Sequence, residues 1–257
     1  MKRFLSELWK GGKNDEHCPW SIVDVIVLTA IMAVFLFNDP FHIGMRIVTF
    51  MRSHFQVFIK EPRLLYYLNV YINSIIFKTL SIVFLVAIVH ARRIPFRRTV
   101  VSSGRMSDLR EAWVPIFIGA CILVRVLASP NPLVPNIPFN SVFLNAKIIG
   151  NIVIVFAVLF IAPFTEEIVF RGFLYPAFNR YMGVAPAIVA TSFLFTLAHY
   201  PQMSDEWGFL TVIFVLSLVI TYARAKTGST WVAIIMHFIY NTMSICVGFV
   251  DYIILRY

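Results

Sequence analysis

Apolar runs near residues 21–37, 67–90, 113–128, 141–164, 184–199, 208–223 and 230–250 dominate the chain, and each is long enough to span a bilayer. Soluble domains carry about 25% charged residues; here the share is 14%, against 59% hydrophobic. The runs predict an all-α, multi-pass integral membrane protein with about seven crossings. The segment 40–63 mixes aromatics with Arg46, Arg52, Lys60 and Arg63, which fits an interfacial amphipathic helix better than a span. No small-residue cleavage site follows the first run, so it reads as a signal anchor.

The net charge of +9 raises the question of nucleic acid, but its distribution answers otherwise. Six arginines crowd residues 91–110, between two spans. That is the positive-inside signature of a cytoplasmic loop, with membrane lipid headgroups as the natural contact. Cys18, Cys121 and Cys246 are scattered and suggest neither a disulfide framework nor a thiolate metal site. No linker separates domains, yet the polar residues of the membrane concentrate after residue 160. The expected division is an N-terminal membrane region, 1–140, holding the interfacial segment and the basic loop 91–111, and a helical core, 141–257, that holds the working part.

Within that core, "PFTEEIVFRGFLYP" (163–176) follows the apolar run 148–162 directly. An ionisable group at membrane depth is costly unless paired or in a wet cavity, so it marks a candidate site. Glu167 and Arg171 have the i,i+4 spacing of an ion pair along one helix, which by itself means only an oriented helix. Glu166 lies about 100° around the helix from Glu167 and needs another partner. A partly desolvated carboxylate beside a second one resists ionisation, the tuning a general base needs. Lys78, Arg125 and Lys147 also fall near or within spans. Arg125 and Lys147 can pair with the acids or snorkel, and all three read as structural.

Two histidines can meet Glu166: His199, i,i+4 with Phe195, and His237, i,i+4 with Asn241. Singly, each is as readily a bond between helices. Turns near Gly183 and Gly228 bring them together. At about 1.5 Å per residue, Glu166 and His199 lie about 24 Å from the first turn. His237 and Asn241 lie about 13–20 Å from the second. A tilt, or a break near Pro163 or Pro176, would close the gap. A carboxylate and an imidazole flanking one water can deprotonate it for attack on an amide, and a second imidazole with a carboxamide can stabilise the oxyanion. Ser192 and Thr196 share a helix with His199 but give no supported nucleophile.

"EEIVFR" (Glu166, Glu167, Arg171), "FTLAH" (Phe195, His199) and "HFIYN" (His237, Asn241) occur in that order and resemble the EExxxR, FxxxH and HxxxN motifs of the CPBP family. That family includes type II CAAX prenyl endopeptidases and bacteriocin-processing and self-immunity proteins. The resemblance covers about residues 145–250. It implies a bundle of about 7–8 transmembrane helices around an intramembrane polar cavity. It further implies an intramembrane endopeptidase in which Glu166 and His199 activate water, and His237 and Asn241 form the oxyanion hole. Glu167 with Arg171 would hold the site's shape, and Phe195 would pack beside it. The implied substrate is a membrane-associated peptide or protein cut near its C-terminus or leader, of the prenylated CAAX type or another. No cofactor is expected; the alternative is zinc on Glu166, His199 and His237. The membrane would be the cell membrane of a bacterium or the endoplasmic reticulum of a eukaryote. The competing readings are a non-catalytic scaffold or self-immunity protein that retains the motifs, and a small-solute or proton transporter, for which the inverted repeats are missing.

Overall fold

The computed structural model describes residues 18–35, 62–95, 155–202 and 207–254, with the helical residues 45–47, 49–50, 53 and 119 between them. Most of the expected interfacial segment at 40–63 lies outside the described residues, as do nearly all of the expected span at 113–128, the loop beyond residue 95 and the run before 155.

Nearly all the described residues are helical, with no strand among them. Helix α1 is Ile22–Ala33 and α2 is Pro62–Ala91. A continuous rod then runs from Ala157 to Met182 in four pieces: a π-turn Ala157–Ile161, α3 (Ala162–Glu167), a second π-turn Ile168–Leu174, and α4 (Tyr175–Met182). Helix α5 is Val184–His199, α6 is Trp207–Thr227 and α7 is Thr230–Ile254. Two of these carry stretches long and apolar enough to cross a membrane by themselves, Ile72–Ala91 and Trp207–Thr227. Val23, Ile75, Phe193 and Val215 turn outward into the surroundings, whereas Glu166, Glu167, Arg171 and His237 are buried. Apolar outside and ionic inside suits a lipid solvent.

Both expected glycine turns are present. Gly183 (φ 81°) and Gly228 (φ 67°) adopt backbone angles that a β-carbon disfavours, and each reverses the chain between two helices. The turns are not level, and this closes the gap left by the sequence arithmetic. Arg224, four residues before Gly228, reaches the carbonyl of Arg171, twelve residues before Gly183. The eight-residue offset is worth about 12 Å and brings His237 to the depth of Glu166 without any break in the rod.

The π-turns account for the two prolines in it. A π-turn pairs each carbonyl with the N–H five residues on, and proline has no N–H. Pro163 therefore leaves the carbonyl of Val158 without its donor, and Pro176 leaves that of Arg171. Side chains of other helices fill both places. Asn241 Nδ2 donates to Val158 O at 2.8 Å, and Arg224 Nε donates to Arg171 O at 3.2 Å.

One end of the bundle is clamped by residues 18–21. Ser21 and Asp24 form a reciprocal cap on α1. Arg92, just past α2, donates two 2.8 Å bonds to the Asp24 carboxylate and one to Pro19 O. Arg180 of α4 donates to Cys18 O at 2.8 Å, while Trp20 packs edge-on against Phe173. The main apolar core accordingly combines Trp20, Leu28, Phe77 and Leu85 with Ile168, Phe170, Phe173 and Phe195.

Candidate active site

Four helical elements meet at Glu166. Its neighbour Glu167 is fully buried, and its Oε1 accepts from Arg171 Nη1 at 2.9 Å and from His237 Nδ1 at 2.7 Å. Arg171 is also fully buried and spends its remaining donors on α6: Nε on Thr221 Oγ1 at 3.1 Å, and Nη2 on Ser217 Oγ at 2.6 Å and Ser217 O at 3.3 Å. Its guanidinium lies 4.4 Å from the centre of the Phe195 ring. The same ring stands 4.7 Å from His199 and 5.9 Å from His237, centre to centre. Phe195 thus packs against the Arg171 guanidinium and both imidazoles at once.

Glu166 points the other way. Its Oε1 lies 2.6 Å from Lys78 Nζ of α2. Its Oε2 is buried, has no hydrogen-bond partner, and lies 3.9 Å from the Nε2 of both His199 and His237. The like-charge pressure expected on Glu166 from Glu167 is therefore met by an ammonium, which the sequence reading treated as structural. The same depth arithmetic could have found Lys78. It lies fourteen residues before Arg92, about 21 Å from the clamped end, close to the depth of Glu166 and His199.

The tautomers follow from the partners. A carbonyl and an ionised carboxylate only accept, so His199 Nδ1–H donates to Phe195 O at 2.8 Å and His237 Nδ1–H donates to Glu167. In the neutral rings both Nε2 atoms then carry lone pairs. Three acceptors, Glu166 Oε2 and two imidazole nitrogens, converge beside a cavity lined by Ser74, Phe77, Lys78, Glu166, Phe170, Ala198 and His199. It has room for about one water molecule. A water there has two protons to give and, among the lining residues, Glu166 and His199 to accept them.

Asn241 is placed one helical turn beyond His237, and its amide nitrogen is bonded to Val158 O. That amide has two N–H groups, so one remains for another acceptor. Thus Glu166, Glu167, Arg171, Phe195, His199 and His237 come together directly, with Asn241 bracing the rod beside them. The zinc alternative asks for a closer approach of these ligands than the structure has. Bonds of about 2.0–2.2 Å put tetrahedral ligands about 3.4 Å apart, closer than the 3.9 Å here. Lys78 already sets a positive charge on Glu166. Among the described residues no group of three His, Cys, Asp or Glu side chains is disposed to hold a metal.

Comparison with known proteins gives a family and a relative. Residues 148–243 match the family described as Type II CAAX prenyl endopeptidase Rce1-like. An "Uncharacterized 24.3 kDa protein" of Escherichia coli is 28% identical over 161 residues, covering 60% of this chain and 72% of that protein. No solved structure matches. The matched stretch contains all three motifs and the rod, turns and helices that assemble them. The match over residues 148–243 supports a protease of the CPBP type, similar to the Rce1-like type II CAAX prenyl endopeptidases, in a membrane protein.

Proposed function

We propose that this protein is a multi-pass intramembrane endopeptidase that hydrolyses a peptide bond with a water activated by Glu166 and His199. The observation that carries the reading is the Glu166 carboxylate, whose buried, unpartnered Oε2 faces two imidazole nitrogens at 3.9 Å. Glu166 Oε2 and His199 Nε2 take the proton as the water oxygen attacks the carbonyl carbon. His199, anchored on a carbonyl, is suited to accept that proton. His237, whose Nδ1–H is held by the Glu167 carboxylate, is suited to the doubly protonated, imidazolium form, and in that form donates from Nε2 to the oxyanion, with the second N–H of Asn241 beside it. The proton held by the base then passes to the leaving amine. Glu167 and Arg171 fix these groups and do not touch the substrate. No step needs a metal. A membrane-associated peptide cut near its C-terminus or leader is the substrate class, and a prenylated CAAX peptide is the first candidate, from the family match alone.

The test is the purified chain in detergent micelles with quenched peptides that include a farnesylated CAAX peptide. Wild type is expected to cleave, with and without phenanthroline, and Glu166→Ala to lose at least about 10²-fold in turnover. Loss of cleavage with the chelator would overturn the metal-free mechanism. A folded wild type that cleaves none of the peptides would favour a scaffold or self-immunity protein instead.

A further inference from the structure

We infer that Lys78, supplied by α2 from outside the family-matched residues, is a positioning residue for Glu166: its ammonium holds the carboxylate ionised and occupies Oε1, leaving Oε2 for the water between the histidines. The inference rests on the hydrolytic reading above.

The groups facing Glu166 are Lys78 from α2, His199 from α5, His237 from α7, and Glu167 and Arg171 on its own rod. Arg171 is committed to Glu167, Ser217 and Thr221. Both histidines use Nδ1 on other acceptors and stand 3.9 Å from Oε2. Lys78 is thus the one permanent cation in contact with Glu166 among the described residues. An isolated buried carboxylate takes up a proton rather than remain charged, and a protonated Glu166 could not act as the base. The placement of Lys78 is also selective. A lysine within a span can reach the interface by its flexible stem, yet this one turns into the bundle and lines the cavity with Ser74 and Phe77. A compact ammonium fits where one carboxylate oxygen must be covered and the other left bare; a planar guanidinium tends to take both.

The experiment uses the full chain in micelles as wild type, Lys78→Met, Lys78→Arg, Glu166→Gln and the Lys78→Met/Glu166→Gln double variant. Infrared spectroscopy reads the carbonyl stretch of a protonated carboxyl group. Lys78→Met is expected to show a band absent from wild type, from Lys78→Arg and from the double variant, which assigns it to Glu166. On the farnesylated CAAX peptide, kcat of Lys78→Met is expected to fall about 10²-fold with KM unchanged, while Lys78→Arg, which keeps the charge but can cover both oxygens, shows no band and recovers turnover only in part. No such band in Lys78→Met, or a wild-type kcat, overturns the assignment. Should wild type cleave nothing, the hydrolytic reading fails on its own, and the band still decides whether Lys78 holds Glu166 ionised. Should Lys78→Met not fold, Lys78→Gln, which keeps a donor without the charge, is held to the same outcomes.

Discussion

Glu166 and Glu167 are adjacent in the chain and opposite in their surroundings. Glu167 is sealed in, with its Oε1 shared by Arg171 and His237. Glu166 borders a cavity and touches Lys78, whose side chain retains 21% of its exposure. The consequences of neutralising each therefore differ. Glu167→Gln strands a fully buried guanidinium, and breaking a buried pair in this way costs about 3–5 kcal/mol. Glu166→Gln leaves an ammonium that can turn toward the cavity, so its stability cost is smaller. Glu167→Gln is expected to lower the unfolding midpoint in denaturant well below that of Glu166→Gln, while both lose turnover. Equal midpoints would remove the structural role from Glu167, and the reverse order would show that the two acids had been assigned the wrong way round. The i,i+4 pairing of Glu167 with Arg171 was legible in sequence because it is local to one helix. The choice of His237 for Glu167, and of Lys78 for Glu166, depends on how separate helices are rotated against each other, which residue spacing does not encode.

At the scale of the element, the rod is a continuous helix whose ladder of backbone hydrogen bonds is broken twice and repaired from outside. Each proline removes a donor, each π-turn makes room for the ring, and Asn241 and Arg224 supply the missing bonds from α7 and α6. Asn241 thus has a brace to hold as well as the oxyanion role proposed for it, and the two can be separated. Asn241→Ala leaves Val158 O unpaired at a cost of about 1–3 kcal/mol. Pro163→Ala restores a backbone N–H that can bond that carbonyl. The double variant Asn241→Ala/Pro163→Ala is therefore expected to regain most of the stability lost in Asn241→Ala, as a double-mutant cycle on thermal unfolding would show. Its turnover should stay about 10²-fold low, because the oxyanion donor is still missing. Additive stabilities would sever the link between Asn241 and the proline. Recovered turnover would make Asn241 a brace alone. The prolines were legible in sequence as breaks in a helix; that each would recruit a side chain from another helix was not, since the π register that creates the vacancy is a tertiary adjustment.

At the scale of the molecule, the three motifs and both glycine turns lie within residues 163–241, and sequence reasoning could assemble them because each is short and ordered. The N-terminal membrane region expected at 1–140 contributes residues to the core and to the site. Trp20 packs on Phe173, Phe77 and Leu85 join the core around Phe170 and Phe195, and Lys78 meets Glu166. The clamp of Asp24, Arg92 and Arg180 with residues 18–21 holds α1, α2 and α4 at one end. The stretch that matches the family therefore lacks part of its own core and the cation beside its candidate base. In a bilayer, helices made separately can still find one another by packing and polar contacts. Residues 141–257 expressed alone are then expected to be degraded, or to be cut readily by added protease. Co-expression with residues 1–110 should restore both protease resistance and co-purification of the two pieces. Lys78→Met in the shorter piece should leave that assembly weaker but present, because Trp20 and Phe77 still dock. Resistance of 141–257 alone equal to that of the intact chain would show that α1 and α2 are accessory, and Glu166 would then have to keep its charge without Lys78.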